Sequence, residues 1–207
     1  MYIALREKIF IFTNKAVPIM KLFLGVCTLF ASLLAFQTQA TVIVEAKANS
    51  SSGGIGGSTG IFFTAGDYFT ATADINDLWN AGSLPRWSNA DGLTGNLYAT
   101  GTDESGQANG TLIGKNFGTH TQYGLSAAYG SLVGSIAGNY FLMGTNYAGN
   151  AVASGELLLW YWDSNNGDNT QNITVSINTA SVSEPATLAL LGLGLLGLGV
   201  SRRTFKS

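Results

Sequence analysis

The chain has 207 residues, 46% of them hydrophobic and only 11% charged, with 27 Gly, one His, one Cys and a formal net charge of −2. A single His and a single Cys argue against a zinc centre. So few Lys and Arg argue against the clustered basic face that nucleic acid needs.

Arg6, Lys8, Lys15 and Lys21 precede an apolar run over residues 22–36, and Thr38-Gln39-Ala40 follows as a small-x-small cleavage site. This is the pattern of a secretory signal peptide over residues 1–40, used by the Sec export machinery and removed by signal peptidase after Ala40. Met20 followed by Lys21 offers a shorter start to the same signal. Cys27 lies inside it behind the bulky Val26, which argues against a lipoprotein box and leaves the exported part free of Cys. Without disulfides the fold must rest on its core, and on a metal if one binds.

Residues 41–182 are enough for one domain with a core of its own. They carry ten acids against three bases, Lys47, Arg86 and Lys115, a balance of about seven negative charges that suits cations or carbohydrate rather than polyanions. Short β-rich runs bounded by Gly, Asn, Asp and Ser recur at residues 42–48, 60–64, 68–73, 95–100, 111–116, 131–136, 140–143, 156–162 and 172–178. No segment has a 3.6-residue apolar period. Residues 49–58, 80–91 and 145–155 read as loops. No repeat recurs at a fixed period. Eight or nine antiparallel strands in this length predict an all-β sandwich, a jelly roll. An N-terminal signal helix and a C-terminal hydrophobic helix are expected to flank it.

Residues 156–162 are the most hydrophobic of these runs. Strand periodicity puts Leu157, Leu159 and Tyr161 on one face and Leu158, Trp160 and Trp162 on the other. Two apolar faces predict a central strand buried on both sides, the alternative being a Trp platform left open for sugar stacking.

Two loops have the composition of binding sites. Directly after that run come Asp163, Ser164, Asn165, Asn166, Gly167, Asp168 and Asn169: carboxylates, amides and a Gly, a hard-oxygen set of the kind calcium prefers. The Gly offset is wrong for an EF-hand, and a polar hairpin turn uses the same residues. In residues 78–92, Trp79, Arg86, Trp87, Asn89 and Asp91 combine aromatic faces with hydroxyl-binding groups, a set suited to sugars. A loop Trp can equally cap the end of a sandwich core. His120 reads as a solvated loop residue. No G-x-S-x-G context accompanies it, and nothing fixes the separation of Glu156 from Asp103 or Glu104 as a glycosidase pair needs. The chain is read as a non-enzyme.

The chain ends in Ser183-Glu184-Pro185, an apolar run over 186–200, and basic Arg202, Arg203 and Lys206. As a helix that run spans about 22 Å, short of the roughly 30 Å hydrocarbon core. The basic cluster would stay cytoplasmic. Motif, apolar run and basic cluster in this order resemble the PEP-CTERM sorting signal, with Ser183 where that family has its first Pro. The resemblance implies an exosortase-type membrane protease as partner and cleavage near Glu184 and Pro185. It also implies transient anchoring in the inner membrane, then release to the cell surface or extracellular matrix. An ordinary C-terminal anchor is the plainer alternative.

The domain itself resembles the PA-I-like galactophilic lectins, calcium-dependent jelly rolls. Three stretches carry the likeness: Asp163 to Asn169 with the alternating run after it, Ala65-Gly66-Asp67 with Asp77-Leu78-Trp79, and residues 110–115. It implies calcium held by the Asp163 carboxylate, the Ser164 carbonyl, Asp168, Asn169 and the Trp79 carbonyl, with a sugar completing the ion's shell. The loop is shorter than the lectins' and their sugar-contacting His-Pro has no match, so galactose specificity does not carry over. The expected function is exopolysaccharide binding with calcium at the surface. The alternative is a structural matrix or biofilm protein without a discrete ligand.

Overall fold

The structure, a computed structural model, describes residues 38–179. The signal and tail segments, with the two helices expected in them, lie outside the described residues. Among those described, no helix is long and apolar enough to cross a membrane.

Every regular element described is a strand. β1 (Thr38–Glu45), β2 (Gly57–Phe63) and β3 (Tyr68–Ala73) come first. A long insertion follows, built as three two-stranded ribbons: β4 (Trp79–Asn80) with β5 (Trp87–Ser88), β6 (Leu97–Tyr98) with β7 (Leu112–Gly114), and β8 (Thr119–Gln122) with β9 (Leu125–Ala128). The chain closes with β10 (Leu132–Ile136), β11 (Asn139–Leu142), β12 (Asn146–Asn150), β13 (Gly155–Tyr161) and β14 (Asn172–Thr179).

The long strands form two antiparallel sheets, β1-β14-β3-β12 and β11-β10-β13-β2. Numbered along the chain without the ribbons, the orders are 1-8-3-6 and 2-7-4-5. This is the jelly roll, and the all-β sandwich expected from the sequence is the fold of the chain.

Period-two alternation builds the space between the sheets. Val44, Phe69, Ile173, Val175 and Ile177 of one sheet meet Phe63, Leu132, Ile136, Leu157, Leu159 and Tyr161 of the other, all buried. Each such side chain contributes about 1.5–3 kcal/mol by leaving water. Phe63 stacks on Phe69 with centroids 4.5 Å apart. β13 is central, between β10 and β2. Its second face is covered in part: Leu158 and Trp160 are half-buried, while Trp162 just beyond the strand is fully buried.

Three sequence expectations are corrected. Residues 145–155, read as loop, contain β12, because the free edge of β3 supplies a ladder to a segment without apolar alternation. Residues 80–91 contain most of the β4–β5 ribbon. His120 is no solvated loop residue. It sits in β8, its ring 5.7 Å from Trp162 and 5.5 Å from Tyr129, and its carbonyl accepts the Trp162 indole N–H at 2.8 Å. The β8–β9 hairpin thereby covers the outer face of the second sheet.

The jelly-roll path has a consequence for function. The β1–β2, β3–β10, β11–β12 and β13–β14 connections all leave from the same end of the sandwich, so the two candidate loops meet. Bonds between these connections show it, Ala46 N–H to the Gln171 carbonyl at 2.9 Å, Asn80 N–H to the Thr170 carbonyl at 3.1 Å and Thr145 N–H to an Asp91 carboxylate oxygen at 2.7 Å, and Arg86 of one candidate loop faces Asp168 of the other at 3.9 Å.

Candidate functional site

The inward face of β13, Leu157, Leu159 and Tyr161, continues by strand periodicity to Asp163, which is 4% exposed. The β1–β2 connection holds the loop that follows. Ser51 Oγ donates to the Asp163 carbonyl at 2.9 Å and accepts its N–H at 3.1 Å. Ser52 Oγ donates to the Ser164 carbonyl at 2.7 Å, Lys47 Nζ to the Gly167 carbonyl at 3.2 Å, and Asn169 Nδ2 to the Ala46 carbonyl at 3.1 Å.

Within this frame Asp163 Oδ1 accepts the Ser164 N–H at 2.7 Å, but Asp163 Oδ2 has no hydrogen-bond partner. Neither has Asn169 Oδ1, on a side chain 2% exposed, nor the buried Tyr161 hydroxyl. A buried acceptor left unmatched costs about 1–3 kcal/mol, more for a charged one. Burial raises the Asp163 carboxyl above the usual range, against the pull of the Ser164 N–H and of the nearby Asn169 and Asn165 dipoles, and the nearby Asp168 charge adds to the rise. Burial likewise pushes the Tyr161 phenol well up, with Asp163 and Asp168 adding to it.

Of the expected ligands, Asp163 and Asn169 are thus brought together under the loop. Ser164 and Asp168 are exposed around them. Asp168 Oδ1 accepts from Asn165 Nδ2 at 2.9 Å, and Oδ2 faces Arg86 at 3.9 Å, a surface pair of small energy. Oδ2 also lies against Gly82, whose φ is +111° and where a Cβ would approach it to 2.1 Å. The close contact between the β4–β5 ribbon and the Asp163 loop therefore requires glycine there. Among the described residues no three His, Cys, Asp or Glu gather as a metal cluster. One buried carboxylate beside amide and carbonyl oxygens suits a hard cation such as calcium and not zinc.

The carbohydrate candidates divide. Trp79 is fully buried, edge-on to Tyr161 at 4.5 Å, its indole N–H shared between the carbonyls of Gly130 at 2.8 Å and Asn89 at 3.1 Å. It has no ring face for a sugar, a correction to its expected stacking role. Trp87, Asn89 and Asp91 do line one hollow of about 160 Å3. Their polar atoms are partly engaged there: Asn89 Oδ1 accepts the Asp91 N–H, and Asp91 Oδ1 accepts both the N–H and the hydroxyl of Thr145. Arg86 is drawn elsewhere, its guanidinium 4.5 Å from the Phe117 ring centroid.

Sequence reading missed the Tyr161 hydroxyl. Its signal was present: Tyr161 and Asp163 share the inward face of one strand. Ala40, the expected cleavage residue, lies within β1 opposite Ile177. Glu156 is held by Ser58 Oγ and the Gly60 N–H.

Residues 181–203 match the family model of the PEP-CTERM protein-sorting motif. The chain carries a PEP-CTERM sorting signal. Ser183, Glu184, Pro185, Arg202 and Arg203 all fall inside the matched residues. A PEP-CTERM signal marks an exported protein, bound for the cell envelope or surface and processed by exosortase. No curated protein matches the chain. Among solved structures it is similar to the EclA N-terminal domain, described as a PllA-like lectin, at 20% identity and a TM-score of 0.44, over 68% of this chain and 95% of that one.

Proposed function

We propose that the exported domain binds carbohydrate at the cell surface, an exopolysaccharide by class, with a calcium ion completing the loop end of the sandwich. Asp163 Oδ2 and Asn169 Oδ1 are the inner ligands, with the Ser164 carbonyl and Asp168 at the rim, and Trp87, Asn89 and Asp91 offer the sugar-facing hollow. The observation that carries this reading is the pair of unpartnered buried oxygens on Asp163 and Asn169, which a cation satisfies and a plain turn does not. The reading is of a binding protein and not of a catalyst.

A glycan array probed with the protein in calcium and in chelator tests it. The expected result is a defined set of glycans bound in calcium, lost in chelator, and weakened about tenfold by Trp87→Ala, the loss of one stacking aromatic. An array blank in calcium removes the carbohydrate claim. It leaves the matrix-protein reading, which the excess of ten acids over three bases in residues 41–182 favours through cation bridging.

Processing completes the proposal: Sec export, signal peptidase cleavage after Ala40, transient inner-membrane anchoring, and exosortase cleavage near Glu184 and Pro185. Intact mass of the protein recovered from the surface is expected to correspond to a chain beginning at Thr41 and lacking the residues beyond that motif. A recovered chain retaining Arg202 and Arg203 contradicts it.

A further inference from the structure

The insertion between β3 and β10 contains an open cleft of about 390 Å3, lined by none of residues 163–169 and adjoining the Trp87 hollow through Leu97. Such a volume lies at the lower end of the roughly 300–1,000 Å3 of ligand sites. Its apolar part is displayed to solvent: Tyr98 is 54% and Ile75 63% exposed, with Leu97 beside them. Exposed large apolar groups gathered in a concavity mark a binding surface more than a folding need.

The polar part consists of hydroxyls, an amide and carboxylates, including Thr102, Asp103 and Glu104, and no Lys or Arg lines the cleft. Asp103 is fixed by Ser105 and Thr100, and these bonds lower its pKa to about 2, so it is ionised at any ordinary pH. Glu104 is exposed, and no hydrogen bond holds its side chain among the described residues. An aromatic face beside uncompensated carboxylates suits a ring with an apolar face and a positive charge, and repels an anionic one.

We propose that this cleft is a second glycan subsite, independent of the cation end, that takes an amino sugar bearing a free ammonium and rejects uronates. Tyr98 supplies the stacking face and Glu104 the charge partner.

The test is an amide NMR titration of the protein, in chelator, with three probes: a glucosamine oligomer, its N-acetylated counterpart and an oligouronate. The glucosamine oligomer is expected to shift Tyr98, Thr102 and Glu104 signals at lower concentration than the N-acetyl form, with no shift from the uronate. Tyr98→Ala should weaken it about tenfold. Glu104→Gln should remove the preference for the free amine at unchanged melting temperature, and Asp163→Asn should alter neither. The proposal is overturned if the oligouronate binds as well, if Tyr98→Ala keeps full affinity, or if the glucosamine oligomer gives no shifts. None of these results bears on calcium at Asp163.

Discussion

Trp79→Ala is expected to destabilise the protein by about 3–5 kcal/mol, the range for truncating a buried Trp. The side chain is fully buried, packs edge-on against Tyr161, and its N–H holds the Gly130 and Asn89 carbonyls. It therefore ties the β4–β5 ribbon, the turn before β10 and the core end of β13 together, and its removal leaves a cavity and takes the indole donor from two carbonyls, Asn89 keeping the Gly92 N–H at 3.0 Å and Gly130 only the long Ser88 hydroxyl contact at 3.4 Å. Trp79→Phe separates the two losses. Most of the volume stays and both carbonyls keep a second donor, so the cost should fall to about 0.5–1.5 kcal/mol, the net worth of the lost indole hydrogen bond. Urea unfolding checks both. A loss below about 1 kcal/mol for Trp79→Ala would mean that the ribbon is not fastened to the core through this residue.

The burial of Trp79 illustrates where reading the sequence stops. Trp79 and Trp87 lie in one loop of sugar-like composition, and local sequence cannot tell a ring that caps the core from one that faces solvent. The choice is made by partners 51 and 82 residues away, Gly130 and Tyr161. Strands with their own apolar alternation were legible: β14 shows Ile173, Val175 and Ile177, and β13 its two apolar faces. β8 was not, since Thr-His-Thr-Gln has no apolar face and is held by β9 and Trp162. β12 was hidden for the same reason, its pairing supplied by β3.

The cation candidate was more legible because its acceptors are local: Asp163 and Asn169 belong to one short loop whose composition already suggested hard oxygen ligands. What the loop could not reveal is which oxygens are left without donors. That depends on Ser51, Ser52 and Ala46 from the first interstrand connection, which engage the backbone around Asp163 and the Asn169 amide nitrogen but not Asp163 Oδ2 or Asn169 Oδ1. The jelly-roll order is what brings that connection over the loop.

Calcium in excess should therefore stabilise the wild-type protein, and Asp163→Asn should abolish the effect. At about 100 times its dissociation constant a ligand that binds only the folded state contributes about 2.7 kcal/mol, a rise of roughly 10 °C for a domain of this size. The substitution has an opposite effect in chelator. With the Asp163 carboxyl raised by burial, the folded state holds its proton at pH values where the unfolded chain has lost it. Apo stability is then fullest below the ordinary carboxyl range and falls as pH rises through the raised value. Asp163→Asn removes that penalty, so in chelator near neutral pH the variant should melt above the wild type, and the two should converge in acid. The calcium effect should run the other way with pH, lost on acidification as protons take the ligand oxygen. Thermal melts across pH, with calcium and with chelator, measure all of this. A wild type that melts identically in both, or a variant that keeps the calcium shift, makes residues 163–169 an ordinary polar turn and removes the cation from the proposed function.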